Sequence, residues 1–251
     1  MSGAAKHRHA VDTGYARGEE TRARIVVAAL KMFGERGFEG ASTRDIATAA
    51  GVNAPALQYY FDNKEGVFLA CVQHLQGRLW HYMSEVVERA EQALARDADD
   101  EELIAVYCAI QGQLAEMMFT APDAADWRLF MARLQAGEGP VAAFKINESQ
   151  KKRLGDAMAA IVGRLLGRPM EDEETLIRTM ALNGHVAVFL CAPRSLLARL
   201  KWDAVDAERL ALLKRVASEQ TTTLLRALVA ARVSNPRRRR AARGNARLVR
   251  G

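Results

Sequence analysis

Residues 42–61 read STRDIATAAGVNAPALQYYF and carry hydroxyls, amides and a cation at spacings that suit a nucleic acid. Thr43 falls at a helix start, where its hydroxyl and the free backbone N–H groups can meet a phosphate. Arg44 has donors for guanine or for phosphate. Asn53, Ala54, Pro55, Gln58 and Tyr59 share the outward face of a second short helix. Gln58 can bind adenine with both arms of its amide, and Ala54 or Pro55 can touch a thymine methyl. The hydroxyls of Tyr59 and Tyr60 suit phosphates, Tyr59 being the better placed, because one of the two rings is expected to pack inward. Lys64 opens the next helix, where a cation opposes the helix dipole, so a phosphate partner explains it better than the helix does.

Two short helices, 43–50 and 54–61, must hold these groups. Ile46, Ala47 and Ala50 on the first, and Leu57 and Phe61 on the second, face inward. Gly51-Val52-Asn53 joins them, with Gly51 supplying the backbone freedom for a sharp turn. Ser42 is the expected N-cap of the first, with Asp45 completing a capping box. Asn53 caps the second, and Pro55 is tolerated in its first turn. Such a pair is a helix-turn-helix, whose second helix enters the DNA major groove. A helix over 18–36 precedes it, with Ile25, Ala29, Leu30 and Phe33 on one stripe and Gly37 as its stop. A long helix over 64–95 follows, capped by Asp62 or Asn63.

Over residues 20–69 the chain closely resembles the N-terminal domain of the TetR family of transcriptional regulators. The marks are Ala29, Phe33, Gly37 and Phe38, then Thr43 with Asp45-Ile46-Ala47, Ala50-Gly51-Val52, Tyr59-Tyr60-Phe61 and Lys64-Glu65. They span about fifty residues, and their combination is what is specific. The stretch around Gln58 also looks like a subgroup with a DUF1956-type C-terminal domain. The resemblance implies a homodimer on double-stranded operator DNA, a phosphate-contacting lysine at Lys64, and release by a small-molecule effector. The expected fold is all-α: a three-helix DNA-binding domain at 17–68, then a larger helical bundle at 69–235 that binds ligand and dimerises. Residues 1–16 are read as a disordered arm and 236–251 as a disordered tail.

Further helices are expected at 101–119, 124–136, 141–166, 171–191 and 206–233, punctuated by proline and glycine. No alternating run marks a strand. Met83, Met117, Met118, Trp127, Phe130 and Met131, with Phe119 and Leu134, are candidates for an apolar or aromatic effector pocket, since methionine adapts to varied ligands. The resemblance implies that the last two long helices form the dimer. Ala181, Gly184 and Ala187 permit close approach there, and Leu210, Leu213, Val216, Ala217, Leu224 and Leu228 offer apolar surface.

Composition narrows the alternatives. Apolar residues make up 49% of the 251, which is incompatible with global disorder. The formal charge is +6, but residues 236–251 hold seven Arg and no acid, so the rest of the chain nets −1 and residues 17–68 net zero. Basicity is therefore local to the tail. Cys71, Cys108 and Cys191 lie far apart, and His74, His81 and His185 join no cluster, which argues for a reducing cytoplasm and against a metal site. The N-terminus has no signal-peptide stretch, and no unbroken apolar run reaches membrane length. No nucleotide, metalloprotease or hydrolase motif is present, which argues against an all-helical enzyme. No cofactor is expected. A repressor is the leading reading; an activator or dual regulator of the same fold, and a nonspecific nucleic-acid binder driven by the tail, are the alternatives.

Overall fold

The computed structural model describes residues 4–121, 123–191 and 193–234; for 4–16, 147–151, 185–186, 188–191 and 193–196 it describes the backbone alone. The tail 236–251 and the side chains of His185 and Cys191 lie outside the described residues. In chain order the helices are α1 (Ala4–Gly40), α2 (Thr43–Ala49), α3 (Ala54–Phe61), α4 (Lys64–Ala95), α5 (Asp100–Thr120), α6 (Ala124–Gln135), α7 (Val141–Leu166), α8 (Glu173–Cys191), α9 (Pro193–Leu200) and α10 (Ala207–Ser234). No strand occurs among the described residues.

Two elements differ from expectation. Helix α1 begins at Ala4 rather than near residue 18, so the arm expected to be disordered is helical from there; no proline interrupts residues 4–17. Gly37 breaks α1 near its end, with φ 75° and ψ 173°. Helix α9 falls between the helices expected at 171–191 and 206–233, where no helix is expected. Proline at the first position starts a helix as readily as it ends one.

The chain divides into two compact units. One comprises the chain up to Gly77 together with Ala125–Glu148; the other comprises Arg78–Ala124 and the chain from Ser149. The boundary expected at 68/69 therefore misses a segment: α6 and the first turns of α7 belong with α1–α3. Small residues allow it. A Cβ on Gly34 of α1 would lie 3.1 Å from the Leu129 Cβ and 3.2 Å from the Phe130 nitrogen, so α6 approaches as close as glycine permits. The core of this unit is aromatic. Phe68 of α4 stands 5.0 Å from Phe33 and 4.8 Å from Phe130, ring centre to ring centre. Ile25, Leu30, Ile46 and Leu57 complete it, and Cys71, whose thiol burial pushes well above its ordinary pKa, lies fully inside.

The other unit is built around α5 and α10. Leu103, Ile104, Tyr107 and Ile110 of α5 are buried with Val87, Ile161, Leu165 and Leu225. By length and composition α5 is apolar enough to cross a membrane; here it is the central core helix of the unit. A polar chain crosses that core. Thr221 donates to the Gln111 side-chain oxygen (2.9 Å), and Gln111 donates to the Leu182 carbonyl (3.0 Å). Tyr107 donates to Asn183 (2.9 Å), and burial raises the pKa of its phenol. Ion pairs Glu101–Arg226, Asp100–Arg232 and Glu116–Lys214 join α5 to α10.

Candidate nucleic-acid interface

Local sequence builds the pair α2–α3. The Ser42 hydroxyl accepts from the Asp45 nitrogen (3.1 Å), which caps α2 as expected. Asp45 does not make the reciprocal half of the capping box; its carboxylate pairs with Arg36 at 3.4 Å. At the other end, Val52 N–H donates to the Ala47 carbonyl and Gly51 N–H to the Thr48 carbonyl (3.0 and 3.1 Å), with Gly51 at φ 68°. That left-handed turn suits glycine. Asn53 then accepts from the Ala56 nitrogen (2.8 Å) and caps α3.

The result is a two-sided helix. Leu57 and Phe61 are buried, whereas Ala54, Pro55, Gln58 and Tyr59 are exposed, Tyr59 to 83%. Tyr60 is half-buried, its ring edge-on to Tyr59 at 5.2 Å and its hydroxyl beside Gly18. Thr43 is half-buried at the first position of α2, and Arg44 beside it is exposed. The structure thus brings the nine expected residues together on or beside one helix pair.

Two of them hold intramolecular partners, and those of Lys64 are ones the sequence did not reveal. The Asn53 side-chain oxygen is committed to the cap, leaving its NH2 group as the donor available to a base. The Lys64 ammonium lies 4.5 Å above the Phe38 ring and donates to the Glu39 carbonyl at 3.4 Å, with the Glu39 carboxylate at 3.9 Å. A phosphate is therefore not needed to explain a cation at the start of α4. Glu39 sits twenty-five residues upstream with Phe38 just before it, too far for any helical spacing to link them to Lys64.

The expected effector-pocket residues do not gather within either unit. Trp127 and Phe130 are core of the first unit, and Met131 is half-buried on the same helix. Met83 and Met117 are buried in the second unit, and Met118 is half-buried there. The physical reason is the placement of α6, which its sequence neighbours hid. Among the described residues, a cavity of about 20 Å³ opens between α5 and α10, lined by Cys108, Gln111, Phe119, Lys214 and Ser218 among others. Of the expected side chains, Phe119 lines it. That volume holds about one water.

The residues expected on the dimer surface fall on both sides of their helices. Leu210 and Ala217 of α10 face the interior, whereas Val216 and Leu224 are exposed. On α8, Leu176, Ile177 and Met180 are exposed, the last two to 58% and 74%. Among the described residues no group of three His, Cys, Asp or Glu stands close enough to hold a metal ion.

Comparison with known proteins adds a second line of observation. Residues 25–71 match the family described as bacterial regulatory proteins, tetR family. Residues 105–228 match the C-terminal domain of the HTH-type transcriptional dual regulator CecR. The chain is 28% identical over 213 residues to the HTH-type transcriptional dual regulator CecR of Shigella flexneri, covering 84% of this chain and 94% of that protein. Two solved structures share the fold. One is the transcriptional regulator FadR from Bacillus subtilis in complex with stearoyl-CoA (TM-score 0.54, 16% identity, 80% of this chain and 97% of that one). The other is AibR in complex with isovaleryl coenzyme A and operator DNA (TM-score 0.56, 14% identity, 81% and 97%).

Proposed function

The chain belongs to the TetR family and is a DNA-binding transcriptional regulator, and from this we propose that it is a cytoplasmic repressor released from a palindromic operator by a small apolar effector. The carrying observation is the two-sidedness of α3. Leu57 and Phe61 anchor it while Ala54, Pro55, Gln58 and Tyr59 stay open to a partner. Gln58 and the small residues at 54–55 read base edges; Thr43, Arg44, Tyr59, Tyr60 and Lys64 hold the backbone.

A homodimer through α8 and α10 supplies the second half-site. Leu176, Ile177, Met180, Val216 and Leu224 present more apolar surface than two solvent-facing helices need. Two-fold symmetry sets the two recognition helices about 35 Å apart, one turn of DNA. The effector acts by stabilising a conformation in which that spacing no longer fits. Dual control is the second reading, favoured by the match to a dual regulator along nearly its whole length.

Selection by the full chain from a randomised duplex pool tests both. The expected product is an inverted repeat with half-sites about one turn apart; a selected site without two-fold symmetry overturns the dimer reading. In vitro transcription from a promoter carrying that site is expected to fall as protein is added. A rise instead identifies an activator.

A further inference from the structure

Arg133 lies in α6, seventy residues past the helix pair, yet its guanidinium holds the end of α1. Its Nε donates to the Gly34 carbonyl at 2.7 Å and its Nη2 to the Glu35 carbonyl at 3.0 Å. The third face, Nη1, pairs with Glu138 at 2.9 Å. Gly37 breaks α1 two residues later, so these carbonyls belong to the final turn, where intrahelical donors run out. A cation there also complements the dipole of α1. The fit is tight: a Cβ on Gly37 would come within 2.5 Å of the Glu138 carboxylate and 3.1 Å of Arg133.

The loop that carries Glu138 is itself anchored. Glu138 N–H donates to the Arg133 carbonyl (3.0 Å), and Gly139, at φ 110°, lies so close to the Phe68 ring that a Cβ there would approach to 2.6 Å. On the other side of the break the chain has five residues to reach Ser42, the cap of α2. Phe38 in that stretch packs on Phe33 and Phe68, and Phe38 and Glu39 are the residues that hold Lys64. Where α1 stops therefore decides how α2 starts and where Lys64 sits.

We propose that Arg133 is a positioning residue for DNA binding: with Glu138 it clamps the last carbonyls of α1 and so sets the entry into α2 and the placement of Lys64. The inference rests on the DNA-binding reading of the α2–α3 surface. Arg133 touches no expected DNA contact and acts through Gly34 and Glu35. Its fork geometry, two backbone carbonyls and a carboxylate at once, is one that a lysine cannot reproduce.

The test uses the full chain with Arg133→Gln, Arg133→Lys and Glu138→Gln, and two duplexes: the one the wild-type chain selects from a randomised pool, and an unrelated one of equal length. Arg133→Gln is expected to weaken binding to the selected duplex about tenfold, as loss of charge-assisted hydrogen bonds implies. Binding to the unrelated duplex falls less than binding to the selected one, because only the share carried by Lys64 is lost there, and the melting midpoint stays near wild type. Glu138→Gln and Arg133→Lys fall between. Amide hydrogen exchange without DNA is expected to quicken over residues 38–48 in Arg133→Gln, a readout that stands even if no duplex is selected. Wild-type exchange there, or wild-type affinity for the selected duplex, overturns the proposal. Equal loss on both duplexes with a lowered midpoint also overturns it, since that marks a purely structural role.

Discussion

Lys64 and Tyr59 are the two side chains whose surroundings say most about DNA contact. Tyr59 is the most exposed large residue of the helix pair, and its ring stands edge-on to Tyr60. Lys64 is already paired, but weakly: the Glu39 carboxylate at 3.9 Å is itself almost wholly solvated, and exposed pairs contribute less than about 1 kcal/mol. A phosphate can outcompete it. Tyr59→Ala and Lys64→Ala are each expected to weaken binding to the selected duplex by roughly tenfold with the melting midpoint of Tyr59→Ala unchanged. Lys64→Ala should also lower the slope of log K against log salt by about 1, one phosphate contact. Titration by fluorescence anisotropy at several salt concentrations measures both. Full affinity in both variants removes them from the interface.

Between α3 and α4 the chain turns within two residues. Asp62 takes a positive φ of 59°, Asn63 accepts from the Gly66 nitrogen at 2.8 Å, and α4 begins. A Cβ on Gly66 would sit 2.1 Å from the Phe61 carbonyl, a backbone atom that cannot step aside. Gly77, farther along α4, meets nothing within 4 Å. The two glycines predict opposite outcomes. Gly66→Ala is expected to cost about 2 kcal/mol or more by forcing the end of the recognition helix away from α4. Gly77→Ala is expected to stabilise by roughly 0.5–1 kcal/mol, because alanine restricts the unfolded chain and favours helix. Urea unfolding of the two variants measures the difference in sign.

At the scale of the whole molecule the charge is misleading. The net +6 comes from seven arginines in residues 236–251, and the recognition region 17–68 is neutral. The proposed recognition surface places sequence preference on α3 and leaves the tail at most a nonspecific affinity that falls with salt. A chain ending at residue 235 is therefore expected to select the same duplex as the full chain while its salt slope becomes shallower by several units. Parallel pool selections and salt titrations decide it; loss of preference on truncation would move recognition into the tail.

The sequence by itself determined the helix pair: both caps, the Gly51 turn and the division of α3 into buried Leu57 and Phe61 against exposed Gln58 and Tyr59. Each is a contact or a period spanning five residues or fewer, and such relations are written in neighbouring letters. Only the tertiary structure decided the rest. It placed α6 against Gly34 of α1, and with it set Phe130 in an aromatic core beside Phe33 and Phe68. It gave Lys64 its partners at Phe38 and Glu39, and turned Leu210 and Ala217 of α10 inward where a stripe of apolar residues had suggested an outer face. A helical period shows that a stripe exists; which neighbour covers it depends on residues a hundred positions away, whose approach leaves no local pattern to read.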